Sequence, residues 1–261
     1  MEQPFKLSNS KLHDWETMCP LEFKAKHITK TQPVEPATEP MCWGNYFETL
    51  VIGGGIGGAF SFSNHEFGEK MKRSVYKERV EEQAKRCKNY LKIMGGKIIS
   101  RQEYISQVVK NPYTGQEIPI EGTLDIRYLM PGGTPKVIDL KTTGDSESEF
   151  GKFAWGRPEK MDLSQIKHYK CLADLSSGQP HDAEYWVFDY REALKHKLIK
   201  CVISESAMWD HIQRLTDVYN EIQACIAMDD WQPRNTFENC SKCKSPCKFR
   251  RIMPEYHIIE L

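Results

Sequence analysis

The sequence predicts an α/β protein in which a small mixed sheet is flanked by helices. Three runs of β-prone residues, at about 97–109, 117–130 and 135–142, are separated by turn signals. Two further runs lie at about 183–190 and 194–203. Apolar residues recur at helical spacing before, between and after these runs, so helices are expected to flank the sheet.

Composition supports a packed core. The 261 residues fit one large domain, and 39% of them are hydrophobic and 28% charged. The formal net charge of zero gives no overall argument for nucleic-acid binding. No stretch approaches the ~20 apolar residues of a membrane helix, and no signal-peptide segment is seen, so neither membrane insertion nor export is expected. The nine cysteines then point to a reducing compartment.

A single domain is predicted over residues 1–261. Residues 1–40 are expected to form a helical segment, broken or ended at Pro20, and a linker rich in Pro, Thr and Glu. Residues 41–230 are predicted as the core. Residues 231–261 form a cysteine-rich segment.

The core is expected to begin with a helix that carries Glu48 and to continue with one long basic helix over residues 65–95. Apolar residues recur there at helical spacing, and Gly95-Gly96 provides a stop. Between Glu69 and Arg101, eleven basic residues accompany four glutamates, so one face could track phosphates. A solvated face that keeps the chain soluble explains the same pattern.

Later helices are expected at about 162–175 and 204–228. The first holds Gln165 and Tyr169, which share one helical face at i and i+4. Ser204 can cap the second.

The hairpin around Pro131-Gly132-Gly133 carries the first candidate site. Alternation along a strand places Asp139 and Lys141 on one face. A hairpin symmetric about Gly132 places Asp125 opposite Asp139, with Cβ atoms roughly 4.5–5.5 Å apart. Two like charges there are destabilising unless a cation lies between them, and Mg²⁺ prefers such oxygen ligands. A surface hairpin with two unrelated acids is the alternative.

Six motifs in order resemble the PD-(D/E)XK nuclease superfamily, in its RecB/AddB/Cas4-like branch. The resemblance covers about residues 7–250. The motifs are Leu7–Phe23 with Cys19-Pro20, Gly44-Asn-Tyr-Phe-Glu48, Gly122-Thr-Leu-Asp125, Asp139-Leu140-Lys141, Gln165-Ile-Lys-His-Tyr169 and Cys240-Ser-Lys-Cys243-Lys-Ser-Pro-Cys247. Relatives usually place a histidine where Glu48 falls, which puts the exact subfamily in doubt.

The resemblance implies a restriction-endonuclease-like core and a Mg²⁺- or Mn²⁺-dependent deoxyribonuclease, of the exonuclease kind. The implied metal ligands are Glu48, Asp125, Asp139 and the backbone carbonyl of Leu140. Lys141 would orient or help deprotonate the attacking water, or stabilise charge on phosphorus. Alternatively, Lys141 only forms an ion pair with Asp139 and has no catalytic role. By resemblance Gln165 and Tyr169 position substrate or the lysine, although Tyr169 could equally pack in the core.

The cysteines resemble the terminal iron–sulfur ligands of the same branch. Cys240, Cys243 and Cys247 supply three thiolates, and Cys19 matches the position of a fourth, so a [4Fe–4S] cluster is expected to join the two ends of the chain. Structural Zn²⁺ is the competing interpretation, and Cys42 the competing fourth ligand. The other cysteines are expected to be buried thiols: Cys87, Cys171, Cys201 and Cys225.

The expected partner is DNA, as single-stranded or double-stranded ends, in recombination, repair or phage DNA processing. The expected location is the cytoplasm of a bacterial or phage-infected cell. A helicase or recombination partner would be a separate chain, and some relatives form rings, so a homo-oligomer is compatible with the resemblance. The alternative function is a non-catalytic nucleic-acid-binding module with a degenerate nuclease core.

A third function class rests on the glycine run at Leu50–Phe60, which matches G-x-G-x-x-G. A dinucleotide site needs a strand before the glycines and, about 20 residues later, a second strand ending in an acid. Here the preceding run carries Glu48, and a basic helix is expected where the second strand should lie. The sequence therefore favours a loop.

Overall fold

A computed structural model describes residues 5–34, 36–53, 60–64, 66–191 and 195–232. They fall into two compact units, one built mainly from residues 35–213 and the other from 7–34 and the chain from Arg214 onward. The predicted core boundary at residue 230 lies beyond the first unit because the last helix contributes residues to both. The single-domain organisation stays a prediction.

The first unit contains a five-stranded mixed sheet in the order β1-β2-β3-β4-β5. Only β3 and β4 are parallel; the other neighbours are antiparallel. The strands are β1 Lys97–Lys110, β2 Glu117–Leu129, β3 Pro135–Thr143, β4 Asp182–Asp189 and β5 His196–Cys201. All five therefore form where alternating and β-branched residues predicted them.

The described helices of both units have the following bounds. They are α1 Asn9–Thr17, α2 Pro20–Phe23, α3 Glu39–Ile52, α4 Gly68–Lys72, α5 Val75–Ile93, α6 Ser164–Ser177 and α7 Glu205–Met228. Helices α3, α5 and α6 of the first unit contact this sheet, so the expected flanking helices are present. On one face of the sheet, Trp186 and Phe188 of β4 join a hydrophobic cluster with residues of α3 and α5. Tyr185 alternates to the other face, where α6 packs across β1 to β4.

The predicted single helix over residues 65–95 is wrong. The chain forms α4 and α5 with a break at Arg73-Ser74. Ser74 has an extended backbone and its hydroxyl accepts a hydrogen bond from the N–H of Tyr76, so it caps α5. The apolar spacing continues through the break, which is why periodicity alone missed it. The predicted stop is confirmed, since Gly95 has φ +68° directly after the helix.

The glycine run does not follow a strand. Leu50, Val51 and Ile52 are the last residues of α3, and Gly53 ends that helix with φ +76°. The dinucleotide alternative therefore lacks its first strand, while the remaining glycines lie outside the described residues. Within the part of the chain that the structure describes, no helix combines the length and apolar character needed to cross a membrane.

Side-chain contacts tie together the two separated segments of the second unit. The indole of Trp15 donates a hydrogen bond of 2.7 Å to Glu221. Arg214 pairs with Glu16, and Lys24 lies 2.6 Å from Asp229. Pro20 is the first residue of α2, so the predicted break in the first helical segment is confirmed.

Candidate active site

The β2–β3 hairpin adopts the register that the sequence predicts. Leu129 pairs with Pro135, and the pairing continues to Ile126 with Ile138. Beyond this pair, Oδ2 of Asp125 accepts a hydrogen bond of 2.8 Å from the backbone N–H of Leu140. The Asp125 carboxylate therefore reaches across to β3 at the level of Asp139.

Asp139 and Lys141 share a face of β3, as alternation predicts. The Lys141 ammonium lies 2.6 Å from Oδ2 of Asp139, and the Asp139 side chain is 1% exposed. Oδ1 of Asp139 receives no hydrogen bond from any described residue, and the Lys141 ammonium is the donor nearest to Oδ2. A buried carboxylate without hydrogen-bond donors is costly unless a cation offsets its charge.

Helix α3 brings Glu48 to these residues through close packing at Gly44. A Cβ atom at Gly44 would lie 3.2 Å from Oγ1 of Thr142 on β3, so glycine allows the helix to approach the strand. Glu48 follows one turn later on the same helical face. Burial raises the pKa of the Glu48 carboxyl, Lys141 opposes that shift, and Asp139 adds to it.

The electrostatics link Asp125 to the same group. Burial and then the charge of Asp139 hold the pKa of Asp125 well above its usual range, with Lys141 opposing and Glu48 adding to the shift. For Lys141, burial lowers the pKa, but Asp139 and Asp125 outweigh it and the net shift is upward. The carboxyl groups of Glu48, Asp125 and Asp139 therefore all interact electrostatically with the single ammonium group of Lys141.

Gln165 and Tyr169 occupy one face of α6, as predicted. The Gln165 amide donates a hydrogen bond of 3.0 Å to the Tyr169 hydroxyl. Burial and the charge of Asp139 raise the pKa of Tyr169 to about 12. Tyr169 therefore borders the group formed by Glu48, Asp125 and Asp139, which we call the carboxylate cluster, and Gln165 holds the Tyr169 hydroxyl. The roles of Gln165 and Tyr169 toward a substrate stay predictions.

Three aromatic residues near Lys141 were not found by sequence reasoning. The rings of Phe153 and Tyr185 each have their centroid 6.0 Å from the Lys141 ammonium, and Trp155 stacks on Phe153 with centroids 4.7 Å apart. Tyr185 pairs in register with Asp139 across the parallel strands. Tyr185 could have been found from the β3–β4 register, but that register cannot be derived before the strand order is known. Phe153 and Trp155 lie in a loop, where no periodic pattern marks them.

The carboxylate cluster fits a hard divalent cation by donor type and charge. Among the described residues, no three His, Cys, Asp or Glu side chains are arranged as a ready metal-binding group. Oδ1 of Asp139 nevertheless receives no hydrogen bond from the described residues, and the carboxyl groups of Glu48, Asp125 and Asp139 outnumber the ammonium of Lys141. Carboxylate oxygens are the ligands that Mg²⁺ prefers. The predicted ligand set is thus chemically suitable but not preassembled.

The predicted iron–sulfur ligands are only partly described. Cys240, Cys243 and Cys247 lie outside the described residues, so the expected joining of the chain ends by a metal cluster stays a prediction. Cys19 is buried in the second unit, directly before α2. Cys42 belongs to the hydrophobic core of the first unit, and its thiol points to the carbonyl of Ala37 at 3.8 Å.

Comparisons with known proteins support the fold. The structure is similar to the crystal structure of a protein from Eubacterium rectale named "Putative exonuclease", with a TM-score of 0.55 and 11% identity over 96% of this chain and 94% of that chain. The structure of SSO0001 is similar over 93% and 84% of the two chains at 11% identity, but its TM-score of 0.41 is too low to support an argument. No protein-family model matches the chain, and no curated protein is similar in sequence.

The likeness to the Eubacterium rectale protein shows a shared fold and no more, because the identity is only 11%. Membership of the PD-(D/E)XK superfamily and of its RecB/AddB/Cas4-like branch stays a prediction.

Proposed function

We propose that this protein is a Mg²⁺- or Mn²⁺-dependent deoxyribonuclease. The observation that carries the proposal is the buried Asp139 carboxylate, whose Oδ2 lies 2.6 Å from Lys141, whose Oδ1 receives no hydrogen bond from the described residues, and which has two further carboxyl groups within electrostatic range. A structural ion pair alone would need no second and third acid, both partly buried, beside it. Such a cluster suits a site that stabilises charge on a phosphodiester.

The residues of the site have distinct roles in the proposed reaction. Glu48, Asp125, Asp139 and the Leu140 carbonyl would hold a divalent cation, which supplies positive charge to the scissile phosphate. Lys141, fixed by Asp139 and bordered by Phe153 and Tyr185, would stabilise the charge that builds on phosphorus or orient the attacking water.

Tyr169 borders the site on the side of α6, and the Gln165 amide fixes its hydroxyl. We assign these two residues the positioning of the substrate or of Lys141. A hydroxyl that is held by a neighbour is preorganised and costs little to orient during the reaction.

DNA as substrate and the exonuclease mode rest on weaker support. The Eubacterium rectale protein is named for exonuclease activity, and this chain shares its fold over most of both lengths. The alternative, a nucleic-acid-binding module without catalysis, retains the same fold. The intact set of Asp125, Asp139 and Lys141 favours the enzyme.

A digestion assay tests the proposal. End-labelled linear DNA and closed circular DNA, each single- and double-stranded, are incubated with Mg²⁺, Mn²⁺ or EDTA. We expect metal-dependent loss of linear DNA only, and at least about a hundredfold lower rate for Asp139→Asn, since a preorganised electrostatic group is removed.

Asp182→Asn is the matched control. It makes the same chemical change in an exposed ion pair with Lys200, which contributes little to stability. We expect control activity equal to that of the wild type. Digestion of circular DNA would indicate an endonuclease, and no digestion by folded, metal-loaded protein would favour the binding module.

We further propose a [4Fe–4S] cluster on Cys19, Cys240, Cys243 and Cys247, with structural Zn²⁺ as the competing occupant. Cys19 supports this because it is buried in the unit that also contains the chain from Arg214 onward. Cys42 is the weaker candidate for fourth ligand because its thiol already faces a core carbonyl. We also propose that the protein acts with a separate DNA-processing chain and that it self-associates, both on the basis of the sequence resemblance alone.

A further inference from the structure

A cavity of about 570 Å³ lies in the first unit, and none of the carboxylates of the candidate active site lines it. The ends of α3 and α5 and the start of β1 surround it. Four basic side chains line it and no acidic residue does; they are Lys88, Lys92, Lys97 and Arg101. All four are exposed, so an incoming ligand can reach them.

These four cations are uncompensated. Elsewhere on α5, Lys77 pairs with Glu81 and Arg86 pairs with Glu82. Among the described residues, none of the four cavity cations forms an ion pair. The chain as a whole is electrically neutral, so a local excess of four positive charges marks a place where an anion would bind favourably.

Apolar side chains and a hydrogen-bonded tyrosine form part of the cavity lining. Leu50, Val51 and Ile98 contribute to the lining. The Tyr128 hydroxyl donates a hydrogen bond of 2.8 Å to the carbonyl of Leu91 and accepts one of 2.6 Å from the N–H of Gly96. These two hydrogen bonds hold the Tyr128 side chain in the lining.

Gly96 also permits the shape of the cavity. A Cβ atom at this position would lie 2.1 Å from the backbone carbonyl of Leu129 and 2.5 Å from the Tyr128 ring. Only a residue without a Cβ allows the start of β1 to pass so close to β2. The close packing of Gly96 against β2 thus determines where the adjacent residue Lys97 lies.

We propose that this cavity is a second nucleotide-binding site, in which the basic side chains hold phosphate groups and the apolar side chains accept a sugar or base. The choice of DNA as the source of the nucleotide rests on the proposed nuclease function. Glu48 and the lining residue Ile52 are four residues apart on α3, roughly 6 Å along the helix axis. A strand held in the cavity would therefore lie within a few nucleotides of the carboxylate cluster.

The test measures binding without cleavage. Fluorescence anisotropy of a labelled single-stranded oligonucleotide is recorded in EDTA over a series of salt concentrations. The cavity variant is Lys92→Gln/Arg101→Gln. The control variant, Lys85→Gln/Lys110→Gln, removes the same charge from exposed residues outside the cavity lining.

We expect the cavity variant to bind roughly tenfold or more weakly at 50 mM salt. The slope of log affinity against log salt should fall by about 1.4, because each phosphate contact to a single strand contributes about 0.7. The control should stay within about twofold of the wild type. Equal behaviour of the two variants would overturn the proposal.

A second arm titrates wild type and both variants with dAMP. Loss of dAMP binding in the cavity variant alone would identify free nucleotides as a ligand. Loss of oligonucleotide binding without a dAMP effect would identify the phosphates of a strand. A protein that digests no DNA but shows the cavity effect would keep this site and reject the nuclease, so the two proposals fail separately.

Discussion

Asp139 combines near-complete burial with an Oδ1 atom that receives no hydrogen bond from the described residues. Lys141 offsets one charge, and Asp125 and Glu48 bring two more carboxyl groups into range. Such an arrangement lowers the stability of the free protein, as strained functional sites commonly do. Removing one of the acids should therefore stabilise the fold.

We predict that Asp125→Asn raises Tm in EDTA. The amide oxygen can still accept the hydrogen bond from Leu140, while the repulsion with Asp139 is removed. Changes of this class stabilise by about 0.5–2 kcal/mol. Each kcal/mol corresponds to roughly 2–4 °C in a domain of this size. Differential scanning fluorimetry measures the shift.

Adding Mn²⁺ provides the internal control for this prediction. A cation that binds the native wild type stabilises it by mass action, by about 2.7 kcal/mol at a hundredfold excess over Kd. The advantage of Asp125→Asn should therefore shrink or reverse. An advantage that is equal in EDTA and Mn²⁺ would contradict the assignment of Asp125 as a metal ligand.

His168 predicts a pH dependence of folding. Burial lowers its pKa to about 4 from 6.5, and the hydrogen bond to the carbonyl of Glu121 only partly opposes this. Between these values the unfolded chain binds more protons than the native protein, so stability falls as the pH is lowered from 6.5 to 4. The full loss is about 3 kcal/mol, at 1.36 kcal/mol per pKa unit.

The measurement is urea unfolding at pH 7 and pH 4.5 for wild type, His168→Gln and the exposed-histidine control His13→Gln. Glutamine can still donate to Glu121 but does not titrate. We expect the stability of His168→Gln to fall less at pH 4.5 than that of the other two proteins. An identical fall in all three would show that His168 does not carry the effect.

At the scale of elements, the packing of α3 on β3 determines where Glu48 lies. The contact at Gly44 and Thr142 is close enough that any side chain at residue 44 must displace the helix or the threonine. The sequence could identify the Gly44-to-Glu48 spacing, but not this contact. That Glu48 reaches Asp139 depends on a helix–strand distance, which no local pattern encodes.

We predict that Gly44→Ala lowers the rate of DNA digestion roughly three- to tenfold with little loss of stability. A shift of a few tenths of an ångström displaces Glu48, and small misplacements at a reacting centre are costly. Alanine favours the helix by about 1 kcal/mol, which offsets the tight contact. Digestion rates and Tm are measured together.

Gly44→Ala/Thr142→Ala is the rescue variant, because it removes the Oγ1 atom that the new Cβ would meet. We expect it to recover most of the rate, while Thr142→Ala alone stays close to wild type. Failure of the double variant to recover would place the effect of Gly44→Ala elsewhere than in this contact.

The hairpin and the α4–α5 break show what sequence patterns could predict about elements. Symmetry about Gly132 predicted the observed β2–β3 register, but the sequence left it uncertain by about one residue. A slip by one residue in one strand would turn a carboxylate to the opposite face. The break at Ser74 was missed because apolar spacing continues on both sides of it. The new helix begins where the Ser74 hydroxyl accepts a hydrogen bond from the N–H of Tyr76. A single capping residue is a weaker sequence signal than a repeated apolar pattern.

At the scale of the whole molecule, the division into two units was not predicted. Residues 7–34 join the chain from Arg214 onward through contacts such as Trp15 to Glu221, which lie 206 residues apart. Pairs this distant leave no periodicity in the sequence. The resemblance of the cysteine motifs was the only sequence signal that connected these two segments, and it is the basis of the final prediction.

We predict that Cys19→Ala abolishes iron binding, whereas Cys201→Ala, a buried thiol of β5 in the other unit, does not. Anaerobically purified wild-type protein should be brown, with about four irons per chain for a [4Fe–4S] cluster. Because site formation and folding are coupled, Cys19→Ala should also lower Tm more than the control does. Colourless protein with one zinc per chain would replace iron–sulfur by structural zinc, and full iron content in Cys19→Ala would move the fourth ligand to Cys42.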